Sequence, residues 1–323
     1  MALWVRTEAS HGVGLGHFMR CFAIAEQARL DGDQVNFLTG DLPAQALERL
    51  RFAGIGHIHV PHPIGSHEDL EFVSRTVPKG QALLLDSYRF DGAYYAALYE
   101  THFVAVMDDA ADIVPLRAHV VINAALGATA MGYAQVAPDA TLLLGPAFAQ
   151  VRHEFRRPYP DPFRPHICVS FGGSDPANLT GEAALYLLEI VPDVDIRLIA
   201  GPAHAHVDEL RRLCQLRPRI KLYLAPDNVA EVLSGADMVV TAAGGSLYEV
   251  AAMGLPALVM VVVDNQVGAL NACPYPALDA RSVWPDDFES WVNAVIRNPD
   301  IGQMARQQVD GLGCQRILQA MPV

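Results

Sequence analysis

The stretch Leu3-Trp4-Val5-Arg6-Thr7-Glu8-Ala9-Ser10-His11-Gly12-Val13-Gly14-Leu15-Gly16-His17, continued by Phe18 to Leu30 and stopped by Asp31-Gly32, decides the fold class. Leu3 to Thr7 is an apolar run of strand length, and Phe18 to Leu30 is an amphipathic helical stretch. The glycines between them let the backbone come close to a phosphate, and the N–H groups and dipole of a helix start favour negative charge. A strand, a glycine-rich loop and a helix in that order make the opening of a β-α unit.

Working outward, apolar runs keep alternating with amphipathic stretches, the pattern of an α/β protein built on parallel sheets. In the first half the strand-like runs are Leu3 to Thr7, Gln34 to Leu38, Ala82 to Leu85, Val104 to Met107, Val120 to Ile122 and Thr141 to Leu144. Their downstream ends carry Asp86, Asp108 with Asp109, and Asn123. The second half starts again with Ile167 to Phe171, Ile196 to Ile199, Lys221 to Leu224, Met238 to Thr241 and Ala257 to Val263. Between the halves, Gly145 to Pro165 is rich in proline and charge and reads as a linker. The expectation is two Rossmann-like parallel-sheet domains facing a cleft, residues 1–150 and 151–323, with the last helix a candidate to return to the first domain. In such sheets ligands sit outside the carboxyl ends of the strands, so the residues just after each strand carry the functional weight.

Composition narrows the partners. With 323 residues, 51% of them hydrophobic and 18% charged, the chain is long and apolar enough for packed cores. A net charge of −13 disfavours a nucleic-acid partner. Lysine occurs only at Lys79 and Lys221, which leaves anion contacts to arginine, histidine and backbone amides. Apolar runs such as Ala257 to Val263 stop short of the roughly 18 to 20 residues of a membrane span, and Glu8 stands where a signal peptide would be apolar. Neither membrane insertion nor export is expected. Five cysteines, odd in number and dispersed, point to no disulfide framework or zinc site and to a reducing cytoplasm.

The first loop does not have the dinucleotide spacing G-x-G-x-x-G, because the sixth position from Gly12 is His17, and there is no G-K-[ST] P-loop. His17 stands at the positive end of a helix, where a neutral imidazole able to act as a base is favoured. His11 belongs to the same loop. Arg20 is three residues on, on the same helix face, and could reach a phosphate held over the loop. In the second half, Phe171-Gly172-Gly173-Ser174 lies between a strand and a helix and has the shape of a phosphate-approach turn, although a generic tight turn explains its glycines equally well. A more specific signal is Thr241-Ala242-Ala243-Gly244-Gly245-Ser246-Leu247-Tyr248-Glu249. Its glycines and Ser246 can cradle a diphosphate at a helix start, and Glu249 can accept hydrogen bonds from ribose hydroxyls. Asp264-Asn265-Gln266 closes the next strand with polar side chains. No D-x-D pair lies at a cleft-facing strand end where it would hold a divalent ion under a diphosphate, so neither a metal nor another cofactor is expected.

These motifs resemble those of the nucleotide-sugar hydrolase family of pseudaminic acid biosynthesis, relatives of the GT-B glycosyltransferases that act on a UDP-linked diacetamido trideoxy sugar. The resemblance rests on Gly14-Leu15-Gly16-His17-Phe18-Met19-Arg20-Cys21, Asp86-Ser87-Tyr88, Met107-Asp108-Asp109, Gly145-Pro146 with Arg152-His153-Glu154-Phe155, Ser170 to Asp175, Ala243 to Ser246 with Glu249, Asn265-Gln266 and Val309-Asp310-Gly311. It runs in order over nearly the whole chain. It implies a GT-B-like fold with UDP on the C-terminal domain, the amino sugar on the N-terminal domain, and His17 as the base that activates water at the anomeric carbon. It further implies Tyr88 and Asn265 as substrate-contacting catalytic residues, with Gly14, Gly16, Arg20, Asp86, Gly172, Gly173, Ser174, Gly244, Gly245, Ser246, Glu249 and Gln266 around the substrate. Asp108 and Asp109 are equally good as loop caps. Val267 to Asp287, short and irregular with Pro274, Pro276 and Pro285, departs from the family pattern where it borders the sugar. Two other readings use the same motifs, a GT-B glycosyltransferase and a catalytically inactive UDP-sugar-binding subunit of a surface-glycan pathway.

Overall fold

The computed structural model describes residues 2–9, 15–160, 165–173, 175, 177–201 and 204–323; the side chain of Asn265 lies outside that description. The chain divides into two compact units, Met1–His153 with Leu312–Val323, and Glu154–Gly311. The first holds a sheet of seven strands: β1 Ala2–Thr7, β2 Gln34–Thr39, β3 Gly56–His59, β4 Ala82–Asp86, β5 Phe103–Met107, β6 Val120–Asn123 and β7 Thr141–Leu144. The second holds six: β8 His166–Ser170, β9 Asp195–Ala200, β10 Ile220–Leu224, β11 Met238–Ala242, β12 Ala257–Val261 and β13 Ala277–Asp279. β3 and β13 had no counterpart in the apolar pattern, being short edge strands.

Both sheets are parallel and share one logic of connection. The order in the first is β3-β2-β1-β4-β5-β6-β7, and in the second β10-β9-β8-β11-β12-β13. Each chain segment lays its second and third strands outward on one side of its first, then crosses to the other side for its fourth. The switch points therefore fall between β1 and β4, paired up to Thr7 with Asp86, and between β8 and β11, paired up to Ser170 with Thr241. A crevice opens at such a point because the two flanking crossovers leave in opposite directions.

The central strands are buried on both faces because helices cover both. On one face of the first sheet, Leu3, Val5, Leu84 and Ala105 pack with Phe18, Phe22 and Ile24 of the helix Gly16–Leu30 and with Cys314, Ile317 and Leu318 of the helix Gly313–Gln319. On the other, Leu83, Leu85, Val104 and Val106 pack with Val73, Tyr94 and Leu98. In the second unit Ile167, Val169, Ile196, Val240 and Met260 pack with Ala183, Leu187, Val292 and Val295. No helix among the described residues is long and apolar enough to cross a membrane, and all five cysteines are free.

One buried ion pair sits within the apolar layer of the first unit. Arg6 of β1 donates from Nε to Asp69 Oδ1 at 2.9 Å and from Nη1 to the Leu38 carbonyl, while Asp69 Oδ2 accepts from Gly65 N and Tyr94 Oη. Arg6 and Asp69 are 1% and 0% exposed, so neither charge has water as a fallback. Asp69→Ala should therefore cost about 3–5 kcal/mol, the penalty of leaving one member of a buried pair uncompensated. Urea denaturation of the two proteins checks this, and a loss below about 1 kcal/mol would show that the pair carries no such load.

Candidate active site

At the β1/β4 switch point the first unit builds a linked set of charged side chains. The helix Gly16–Leu30 begins with His17 in its first turn, so the imidazole hangs over the carboxyl end of the sheet. Asp86, the last residue of β4, is fully buried beneath it, with Oδ1 2.7 Å from His17 Nδ1. One helical turn on, Arg20 donates from Nε to Asp86 Oδ2 at 2.7 Å and from Nη2 to Oδ1 at 2.6 Å. Its third nitrogen, Nη1, reaches both oxygens of Asp109, just after β5, at 2.9 and 2.8 Å. Cys21 Sγ points at Asp86 Oδ2 from 3.4 Å. Tyr88, two residues past β4, donates its phenol to Asp109 Oδ2 at 2.7 Å and meets the His17 ring edge to face at 4.6 Å between centroids.

This arrangement fixes the tautomer of the histidine. A carboxylate only accepts, so one ring proton lies on Nδ1, and in the neutral imidazole the lone pair is the one on Nε2. Arg20 Nη2, 3.2 Å from Nδ1, is then a second donor sharing Oδ1 rather than a partner of the ring. Burial pushes the Asp86 carboxyl up, but the charge and hydrogen bonds of Arg20, with those of His17, outweigh it and hold the group below the usual carboxylate range. For Arg20, burial acts downward, and Asp86 followed by Asp109 keeps it well above its ordinary value. Burial, then the neighbouring Asp109, pushes the Tyr88 phenol up. Arg20 with two carboxylates leaves one net negative charge next to the ring, which suits a group that gains a proton at Nε2 during reaction.

Two of the expected site residues have partners within the protein. Arg20 was expected to reach a phosphate, yet its Nε and both Nη atoms are committed to Asp86 and Asp109. Asp86 was expected beside the substrate, yet it has no exposed surface and acts from beneath His17. The adjacent aspartates divide their work: Asp108 Oδ2 accepts from Ala111 N and caps a turn, while Asp109 joins the site. Missed altogether was Glu8, which follows β1 and accepts from Ser87 Oγ on the loop that carries Tyr88. Gly16 opens the helix with open space around its Cα. Gly14 and His11 lie outside the described residues.

In the second unit the two glycine motifs occupy the β8/β11 switch point and differ in what their helices offer. After β8, Gly172 takes a left-handed φ of +88° and Gly173 lies against the backbone of Gly201. Ser174 is outside the described residues. Asp175 then accepts from Leu179 N at 3.1 Å and from Thr180 N and Oγ1 at 2.8 and 2.6 Å. The start of the helix Leu179–Ile190 already holds a carboxylate, so the phosphate-approach reading does not extend to this helix terminus. After β11, by contrast, Gly244 precedes the helix Gly245–Met253 and no side chain caps it. Gly245 is exposed there, with Ser246 and, one turn on, Glu249 half-buried. Gln266 turns its amide oxygen to Val262 N at 3.0 Å and its nitrogen toward Gly244. Asn265 belongs to the turn Asp264–Gln266, its side chain being outside the description. Among the described residues no group of three or more His, Cys, Asp or Glu is placed to hold a metal.

No family model matches the chain. Over 128 residues it is 32% identical to the spore coat polysaccharide biosynthesis protein SpsG of Bacillus subtilis, covering 39% of this chain and 37% of that protein. The chain spans between about a quarter and two fifths of the length of the curated relatives it matches. Two solved structures share its fold over nearly the whole length. One is S. aureus MnaA with UDP, at TM-score 0.68 and 12% identity, covering 98% of this chain and 94% of that one. The other is a glycosyltransferase from Rickettsia africae, at TM-score 0.64 and 11% identity, covering 98% and 97%. With its two parallel-sheet Rossmann-like units, the chain has the fold of the GT-B glycosyltransferases.

Proposed function

We propose that the protein hydrolyses a UDP-linked deoxy amino sugar at its anomeric carbon, releasing UDP and the free sugar for nonulosonic acid biosynthesis of the pseudaminic acid type, in the reducing cytoplasm. The observation that carries this reading is the His17–Asp86 pair, which leaves Nε2 as a lone-pair acceptor beside one uncompensated negative charge. The motif resemblance supplies the substrate class. The fold shared with a UDP-bound protein, and the partial identity to a polysaccharide biosynthesis protein, agree with it.

In this reading water gives a proton to His17 Nε2 as its oxygen bonds to the anomeric carbon, and the carbon–oxygen bond to UDP breaks with its electron pair going to the diphosphate. Attack from the face opposite the departing group inverts the carbon. Asp86 offsets the charge that the imidazole acquires, as the third member of a triad does. Since Arg20 is spent on carboxylates, the leaving diphosphate depends on the uncapped helix start at Gly244, Gly245 and Ser246, whose N–H groups and dipole suit an anion. Glu249 holds the ribose hydroxyls, and Tyr88, Asn265, Gln266 and Gly16 contact the substrate. A second reading, a glycosyltransferase in which an acceptor hydroxyl replaces water, is favoured by the fold shared with solved glycosyltransferases.

A panel of UDP-amino sugars, each incubated with and without candidate acceptors, tests the reading through released UDP. Release without any acceptor supports hydrolysis, release that depends on an acceptor supports transfer, and tight UDP binding without release supports a binding subunit. His17→Asn should lower release by about 10²–10⁴-fold, the usual worth of a general base, with UDP affinity by calorimetry unchanged.

Asp86→Asn should lower turnover by about 10²–10⁴-fold, because an amide in that place no longer fixes the proton on Nδ1. It also has a signature in stability. A carboxyl depressed by folding stabilises the native state above its unfolded value of about 3.9 and loses that contribution as pH falls toward the lower folded one. Thermal unfolding of Asp86→Asn should therefore be less sensitive to acid below about pH 4 than that of the parent protein. Identical acid profiles would mean that Asp86 is not the coupled group.

A further inference from the structure

Tyr88 is 67% exposed, yet it has less freedom than an exposed tyrosine ordinarily keeps. Its ring rests on His17 and its hydroxyl is tied to Asp109 Oδ2. The residues on either side of that tie are themselves fixed. Asp108 N donates to the Ile122 carbonyl, its own carbonyl accepts from Tyr133 Oη at 2.9 Å, and its carboxylate caps Ala111, which makes the β5 corner rigid where Asp109 leaves it. On the other loop Ser87 Oγ donates to Glu8 and accepts from Arg89 N at 3.0 Å. Arg20 has two bonds to Asp86 already, so Asp109 is not needed to retain the guanidinium. Besides the net negative charge it adds to the cluster, what Asp109 contributes is the orientation of the phenol.

We propose that Asp109 is a positioning residue: by accepting the hydrogen bond of the Tyr88 O–H while braced by Arg20, it presents the phenol oxygen as a hydrogen-bond acceptor beside His17. A carboxylate cannot donate, so the single O–H of Tyr88 is spent and only lone pairs remain for a ligand. Tyr88 therefore meets a donor, a sugar hydroxyl, an acylamino N–H or the attacking water, and is not an acid for the leaving group. The raised phenol value agrees with this polarity. The proposal rests on the hydrolase reading for its substrate and on geometry alone for the Tyr88–Asp109 bond.

The test combines Asp109→Asn, Tyr88→Phe and the double variant. First, ultraviolet titration of phenolate, taken as the difference between each protein and its Y88F counterpart, should show Tyr88 ionising well above the ordinary value of about 10 in the parent and at a clearly lower pH in D109N, where burial still acts but the Asp109 charge does not. Second, on the UDP-sugar that is turned over, D109N should lower kcat/KM by ~10–100-fold alone but by less than ~3-fold in the Y88F background, since coupled residues are not additive. An unmoved phenol titration, or equal losses in both backgrounds, overturns the role of Asp109. If no UDP-sugar is turned over, the hydrolase reading falls by itself and the phenol titration still decides the positioning claim.

Discussion

Everything at the β1/β4 switch point depends on a carboxylate that has no access to water. Asp86 sits at the end of β4, and ionising it there costs several kcal/mol unless partners replace the lost hydration. Arg20 and His17 are those partners, and both belong to the first two turns of one helix. Satisfying Asp86 therefore fixes how the helix start lies over the sheet, that the imidazole carries a proton on Nδ1, and where the Arg20 guanidinium is held. Asp109 extends the same constraint to β5 and to Tyr88. The tautomer of His17 follows from its buried neighbour.

The second unit repeats the topology with the opposite electrostatics. Its two candidate anion turns sit at the same kind of switch point, but Asp175 fills one helix start with an internal carboxylate while the helix after Gly244 has no side-chain cap. An internal carboxylate and an incoming phosphate compete for the same N–H groups, so only the uncapped start suits a diphosphate. In the proposed reaction, base and anion site are residues of different units. In a reaction that moves charge from an attacking water to a departing diphosphate, the groups that gain positive and meet negative charge are then supplied separately.

Much of the fold was legible because buried parallel strands are continuous apolar runs, and the eleven runs read from the sequence are all strands of the two sheets. β3 and β13 escaped for the same reason in reverse: Gly56-His57-Ile58-His59 is half solvated at a sheet edge, and Ala277–Asp279 is only three residues long. At the site, the glycine loop and strand-end position singled out His17, and the i,i+3 spacing placed Arg20 on its face. Spacing along one helix cannot tell what two other strands will bring up to that face. The convergence of Asp86 and Asp109 on Arg20, which turns a phosphate-binding candidate into a brace, is a long-range fact with separations of 66 and 89 residues. Asp108 and Asp109, equivalent as neighbours in sequence, differ because successive residues leaving a strand point in different directions.

The central claim is that a water activated by His17 attacks carbon rather than phosphorus. A phosphorus attack would ordinarily need a metal or a cluster of free cations at the phosphate, and here Arg20 is occupied by Asp86 and Asp109. Reaction in water labelled with heavy oxygen, followed at once by mass spectrometry before exchange at the anomeric position, reads the bond directly. The account predicts label in the free sugar and none in UDP; label in the phosphate, or a sugar 1-phosphate together with UMP, would contradict it.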